Sequence, residues 1–286
     1  MKNMKTFYKI SPLQRPEAYG SGFFSNYRVC LEKIMLHLER KDEGIPYVDW
    51  NHTLWLDRWN PIETWIPPVS YNPFDYWFEQ EIPETSDNII MGQWEVPFII
   101  DHTKDYFKYG NIEPQRSVDE QYMIPKKYIL DKIETIYEKE LKNEVVLGVM
   151  ARGCEYNHYH PMYGIFQIDD YVREIIKILK EHPEITKLFI VSEDSEYVER
   201  LSKEFPNSYF MPDVFRRTDE TMDHMNSIFF WPNISTKREN QNQLLGEEVI
   251  IQTKLLGKCD YLFGRHTGVL AGAILWGKNI KQLFKI

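Results

Sequence analysis

Residues 145–155 read Val145-Val146-Leu147-Gly148-Val149-Met150-Ala151-Arg152-Gly153-Cys154-Glu155. The unbroken apolar run before Arg152 predicts a short strand buried on both faces, as in parallel sheets. Arg152 then stands just past a strand end, where open α/β sheets take their ligands. The same grammar repeats downstream. Asp169 or Asp170 starts a helix carrying Val172, Ile175, Ile176 and Leu179, and Lys187-Leu188-Phe189-Ile190-Val191 is the next buried strand. A helix with Val198 and Leu201 follows, then a strand at Ser208-Tyr209-Phe210-Met211. A helix over about 246–256, a strand at Asp260-Tyr261-Leu262-Phe263, a helix over 267–276 and a last strand at Lys281-Gln282-Leu283-Phe284 complete the half. Strands alternating with helices predict an α/β fold with a parallel sheet flanked by helices.

Upstream the text is less regular. Pro125 suits the first turn of a helix, and Ile129, Ile133, Ile136, Tyr137 and Leu141 follow at helical spacing. The expected division is residues 1–124 as an N-terminal domain with an aromatic-rich loop region, 125–143 as a linking helix and 144–286 as a C-terminal domain. In the first part, Gly20-Ser21-Gly22 precedes a helix over 26–40, and Pro46-Tyr47-Val48-Asp49-Trp50 reads as a short strand. From there to about Gly110 prolines, asparagines and aromatics dominate, too apolar for disorder and consistent with ordered loops and short helices.

The 286 residues carry 34 Lys and Arg against 43 Asp and Glu, a net charge of −9. That balance argues against a protein built to cover a nucleic-acid backbone, which calls for a broad basic face. It leaves room for one small anion held by local cations. The three cysteines, Cys30, Cys154 and Cys259, form no CxxC pair, so neither a zinc knuckle nor a disulfide framework is expected. No run is apolar enough for a leader or a membrane helix. The expectation is a cytoplasmic protein, with peripheral membrane contact open. Aromatics are 15% of the chain, and Trp50, Trp55, Trp59, Trp65, Trp77 and Trp94 all fall early. They either pack a small loop-rich core or offer faces to sugar rings.

Three strand ends carry candidate chemistry. At the first, Arg152 either pairs structurally with Glu155 or grips a phosphate or carboxylate with its planar fork. At the second, Ser192-Glu193-Asp194, carboxylates either meet sugar hydroxyls or, the plainer reading, Ser192 or Asp194 caps the next helix. The third is Phe263-Gly264-Arg265-His266-Thr267-Gly268, a strand-to-helix turn. Amides at a helix start favour an anion, the Thr267 hydroxyl adds a bond, and Gly264 and Gly268 permit close backbone approach; a plain turn with Thr267 as N-cap is the alternative. His158-Tyr159-His160 offers two histidines with no third ligand at metal spacing, so no metal site is assigned. Arg216-Arg217-Thr218-Asp219, with Asp223 and His224, either closes over a site or forms a charged surface loop.

In order and spacing these segments resemble the α1,6-/protein O-fucosyltransferase superfamily, which includes the rhizobial nodulation fucosyltransferases. The family's His-x-Arg-x-x-Asp is matched by Met150-Ala151-Arg152-Gly153-Cys154-Glu155, and its Thr-Asp-Asp by Ser192-Glu193-Asp194. Its helix Asp, Leu-Leu-Ser-x-Cys-Asp and paired hydroxyl residues are matched by Gln252, Leu255-Leu256-Gly257-Lys258-Cys259-Asp260 and Arg265-His266-Thr267-Gly268. Gly20-Ser21-Gly22 resembles the family's opening Gly-x-Gly.

The resemblance implies a GT-B-like architecture of two Rossmann-like domains, residues 1–124 on the acceptor side and residues 144–286 holding a nucleotide-sugar. It implies metal-independent, inverting transfer of a sugar, fucose first among the choices, from a nucleotide-diphosphate donor such as GDP-fucose to a glycan or glycoconjugate, with no cofactor. It places Gly20, Gly22, Met150, Arg152, Ser192, Gln252, Arg265, His266, Thr267 and Gly268 at the donor. Arg152, Glu155, His160 and Asp194 stand as catalytic candidates. Met150 and Gln252 depart from the family residues that read guanine, and Glu155 is longer than the family's aspartate. Two alternatives stand beside this reading. One is a polysaccharide pyruvyltransferase-like enzyme of the same architecture, with Arg265 and His266 on the anion. The other is a carbohydrate-binding relative without transfer.

Overall fold

The computed structural model of the protein describes residues 5–12, 22–51, 53, 72–84, 86–91, 112–153, 166–216, 238, 240–265 and 267–285. In chain order the elements are β1 (Phe7–Ile10), α1 (Phe23–Arg40), β2 (Ile45–Val48), α2 (Phe74–Trp77), β3 (Phe78–Glu79), β4 (Ile89–Met91), α3 (Glu113–Tyr122), β5 (Ile124–Pro125), α4 (Lys127–Glu140) and β6 (Val146–Met150). They continue with α5 (Ile168–Glu181), β7 (Lys187–Val191), α6 (Ser195–Glu204), β8 (Ser208–Tyr209), α7 (Gln241–Gly257), β9 (Tyr261–Gly264), α8 (Gly268–Trp276) and β10 (Gln282–Lys285). The chain forms two compact units, Met1–Ile129 with Pro232–Glu247, and Leu130–Trp231 with Glu248–Ile286.

The first unit holds a parallel sheet ordered β2-β1-β4 and a small antiparallel pair, β3-β5. Its core is aromatic. Phe23 meets Trp50 and Trp77 edge-on at 5.1 and 5.2 Å between centroids, and Phe74 stacks on Phe78 at 4.6 Å. Trp50 and Trp77 are fully buried, so these two early tryptophans serve packing. The Trp77 indole N–H donates to the Gln243 carbonyl at 2.7 Å, which satisfies the polar tip of a buried ring. The other four early tryptophans lie outside the described residues. Asn72 organises the turn into α2: its Oδ1 accepts from the Trp50 and Phe74 amides, and its Nδ2 donates to the Val48 carbonyl.

The second unit is the regular one. Its sheet is parallel throughout, ordered β10-β9-β6-β7-β8. Every residue of β6 is buried, as its apolar run required. Leu147 and Val149 join Leu188, Ile190, Tyr261 and Phe263 on one face, against Tyr171, Val172, Ile175 and Ile178 of α5 and Tyr197, Val198 and Leu201 of α6. On the other face a Cβ at Gly148 would stand 2.9 Å from the Leu256 side chain, so α7 packs closely onto β6. Helices therefore cover both faces, and the α/β, GT-B-like fold expected from the sequence is the one found. No helix among the described residues is long and apolar enough to cross a membrane.

Several boundaries differ from the sequence reading. The N-cap of α5 is Gln167, and Asp170 sits a turn inside, where its carboxylate accepts the Gln167 amide at 2.8 Å. Helix α7 starts at Gln241, not near Gly246, because Gln241, Asn242 and Glu247 are buried polar residues without apolar periodicity to announce them. β1 and α3 carry no distinct pattern: β1 has four residues, and α3 buries only Asp119, which accepts a hydrogen bond from the Tyr27 hydroxyl.

Candidate active site

In the second sheet the chain leaves β6 through β7 and β8 toward one edge and returns to β9 and β10 on the other side of β6. Numbered within the sheet, this is the 3-2-1-4-5 order of a doubly wound fold, with its switch point between β6 and β9. Loops leaving two such strands diverge, and the crevice at their carboxyl ends admits a ligand. Here those ends lead into Ala151-Arg152-Gly153 and Arg265. The register sets Met150 opposite Gly264, and a Cβ at 264 would stand 2.6 Å from the Met150 carbonyl oxygen. The approach that Gly264 permits is thus to the neighbouring strand.

Arg152 is held at both its backbone and its side chain. Its amide donates to the Tyr171 hydroxyl at 3.0 Å, and that hydroxyl donates back to the Arg152 carbonyl at 3.3 Å. Its Nε lies 3.2 Å from the Glu193 carboxylate, which also accepts the Gly153 amide at 3.3 Å. Glu193, from the next strand end, is thus a structural partner of Arg152. Burial raises the Tyr171 phenol above its ordinary value, against the hydrogen bond to the Arg152 backbone, so the hydroxyl stays protonated at neutral pH.

Ser192-Glu193-Asp194 closes the same edge after β7. Asp194 occupies the N-cap position of α6 by backbone conformation but makes no side-chain cap; its carboxylate instead fills the space where a Cβ at 153 would go. The Ser192 hydroxyl accepts the Asp194 amide at 3.2 Å, so it shapes the turn rather than capping the helix. The carboxylates cannot cap because they are drawn toward the loop after β6, a tertiary contact that capping preference does not weigh.

After β9, Arg265 is 1% exposed, its guanidinium 5.4 Å from the Phe166 ring centroid. Thr267 caps α8: its Oγ accepts the Leu270 amide at 3.1 Å. The cap reading of Thr267 therefore holds, and its hydroxyl proton and the first-turn amides from Gly268 onward are what the turn offers an anion. Gln252, buried in α7, donates from Nε2 to the Glu248 carbonyl at 3.3 Å, while its buried Oε1 has no partner among the described residues. Arg216 turns inward on its own loop, donating to the Met211 and Val214 carbonyls, and does not extend as a free basic arm.

Arg152, Ser192, Asp194, Arg265, Thr267 and Gly268 thus follow three strands of one sheet, and Met150 and Gln252 belong to the same unit. Gly22 belongs to the first unit, at the start of α1, where its carbonyl accepts the Ser25 and Asn26 amides. Gly20, Glu155, His160 and His266 lie outside the described residues, as do Arg217, Asp219, Asp223 and His224.

Solved structures with this chain path are known. The fucosyltransferase NodZ from Bradyrhizobium covers 96% of this chain and 94% of its own, at TM-score 0.57 and 14% identity. NodZ alpha-1,6-fucosyltransferase co-crystallised with GDP matches at TM-score 0.56, and the form soaked with GDP-fucose at 0.55, both 13% identical and covering 96% of this chain and 93% of NodZ. The chain has the NodZ fold. The family likeness carried by the motifs is thus a likeness of fold across nearly the whole length. No protein-family model matches the sequence, and no curated protein matches it by sequence. At 14% identity the likeness is one of chain path, and side-chain identity is retained at few positions. Tyr171 is the site residue the sequence did not announce, because it reads as one more apolar position of α5.

Proposed function

We propose that this chain is a glycosyltransferase that moves a sugar, fucose first among the candidates, from a nucleotide-diphosphate donor to a glycan or glycoconjugate acceptor. One observation carries the reading: Arg152, Arg265 and the α8 N-terminus follow the carboxyl ends of β6 and β9, the switch point of a NodZ-fold sheet. Fold alone does not assign activity, but positive groups at the ligand edge supply what a departing diphosphate requires. In the proposed reaction an acceptor oxygen attacks the anomeric carbon, the bond to the diphosphate oxygen breaks with its electron pair, and the anomeric centre inverts. The acceptor's proton passes to a carboxylate or histidine, with Asp194, Glu155 and His160 as candidates. Negative charge gathering on the diphosphate is met by a guanidinium and helix amides, so the proposal requires no metal or cofactor.

Met150 and Gln252 leave the base open, since a neutral amide and a thioether replace groups suited to guanine. Thermal shift with GDP-, UDP-, CDP- and dTDP-linked sugars, followed by transfer assays with the stabilising donor, tests the proposal. Stabilisation by one nucleotide class and a product of inverted configuration are expected. Arg152→Ala should remove transfer while keeping the fold, because the residue is partly exposed. Absence of any nucleotide response would overturn the reading, and binding without transfer would favour the carbohydrate-binding alternative. Anion binding that survives Arg152→Ala but not Arg265→Met would favour the pyruvyltransferase-like alternative.

A further inference from the structure

We propose that Tyr171 and Glu193 are positioning residues that aim the Arg152 guanidinium at the donor diphosphate. The inference rests on the donor site proposed above and adds to it the two groups that set its geometry. Arginine on an exposed loop samples many rotamers and must lose that freedom to grip a phosphate. Here the loss is met in advance at two points. The Tyr171 hydroxyl brackets the Arg152 peptide, donor on one side and acceptor on the other, at 3.0 and 3.3 Å. The phenol is itself immobile: Tyr171 is fully buried, with Tyr197, Phe263 and Phe166 rings edge-on at 6.0, 5.9 and 6.4 Å. Glu193 then fixes the side chain, 3.2 Å from Nε, and binds the next residue's amide with the same oxygen, so the loop and the guanidinium share one anchor.

Charge and position make opposite predictions for Glu193. Removing a carboxylate beside a cation should tighten anion binding if charge alone mattered. If Glu193 aims Arg152, Glu193→Gln weakens it instead. Calorimetry with inorganic pyrophosphate and with GDP, UDP, CDP and dTDP measures this, beside KM and kcat for the sugar donor that binds. Tyr171→Phe and Glu193→Gln are each expected to weaken binding roughly tenfold, the scale of the lost hydrogen bonds at Tyr171 and of the lost ion pair at Glu193. KM should rise more than kcat falls, and Glu193→Asp should recover part of the loss. In an Arg152→Lys background both changes should lose most of their effect, since a lysine has no Nε fork to aim.

A merely structural role would lower the melting temperature and the fraction of active protein without changing affinity. Tighter binding in Glu193→Gln, or undiminished losses in the Arg152→Lys background, would overturn the proposal. If Tyr171→Phe does not fold, the sign of the Glu193→Gln effect decides. Wild-type protein that binds no nucleotide and no pyrophosphate overturns both the donor site and this inference. Wild-type binding that is unchanged in both variants overturns this inference alone.

Discussion

At the scale of single residues, the site is built from small exclusions as much as from functional groups. Gly153 is glycine because the Asp194 carboxylate occupies the place of a Cβ. Gly153→Ala should therefore push Asp194 aside and destabilise the fold by about 1–3 kcal/mol, the usual range for overpacking. Asp194→Ala in the same chain should recover part of that loss, which urea denaturation of the single and double variants will show. The same pair explains why capping preference misjudges Asp194. Its neighbour across the strand end, absent from any local window, offers it a different place. Arg152 teaches the converse. Its position at a strand end is legible from the apolar run before it, but its partner is not, since Glu193 lies forty-one residues on.

Among elements, α7 carries the most tertiary information. It is buried nearly all round, with Leu255 and Leu256 packed in the second unit and Gly246 packed in the first. A Cβ at 246 would overlap the Trp77 indole, whose N–H bonds Gln243 a turn earlier. In an exposed helix Gly→Ala would stabilise by about 1 kcal/mol. Here Gly246→Ala should instead destabilise by about 1–3 kcal/mol, read from the urea midpoint. If it stabilised, the Trp77 contact would be wrong. Helix periodicity found α5 and α6, whose apolar stripes are clean. It started α7 five residues late, since no stripe exists where every side is covered.

For the whole molecule, buried carboxyls give stability a pH dependence. Glu32 in α1 pairs with Arg28 at 3.3 Å, yet burial outweighs that attraction and pushes its carboxyl up to about 7. Burial likewise raises Asp75 to about 6, against its hydrogen bond from Gln80. Between their ordinary values and these, the folded chain holds more protons than the unfolded one, so stability falls as pH rises. It is fully present below about 4 and lost by about 7, as far as these two groups act. Glu184 runs oppositely: the Tyr261 hydroxyl, 2.6 Å away, lowers it to about 2, so its contribution disappears only as pH falls below 4.5. Denaturant midpoints across about pH 5–8 should decline, and Glu32→Gln should flatten the upper part of that decline. An unchanged slope in Glu32→Gln would assign the titration elsewhere.

The sequence by itself determined the class of the fold and the second unit's strand order of appearance, because continuous apolar runs and amphipathic helices record burial directly. It also placed Arg152, Asp194, Arg265 and Thr267 at strand ends, since strand limits follow from where the apolar runs stop. Only the tertiary structure decided that β6 and β9 are neighbours with the switch point between them, that Arg152 is held by Tyr171 and Glu193, and that Asp194 does not cap α6. Those outcomes depend on sheet order and on contacts between residues far apart in the chain, and local sequence pattern carries no information about which strand end will lie beside which.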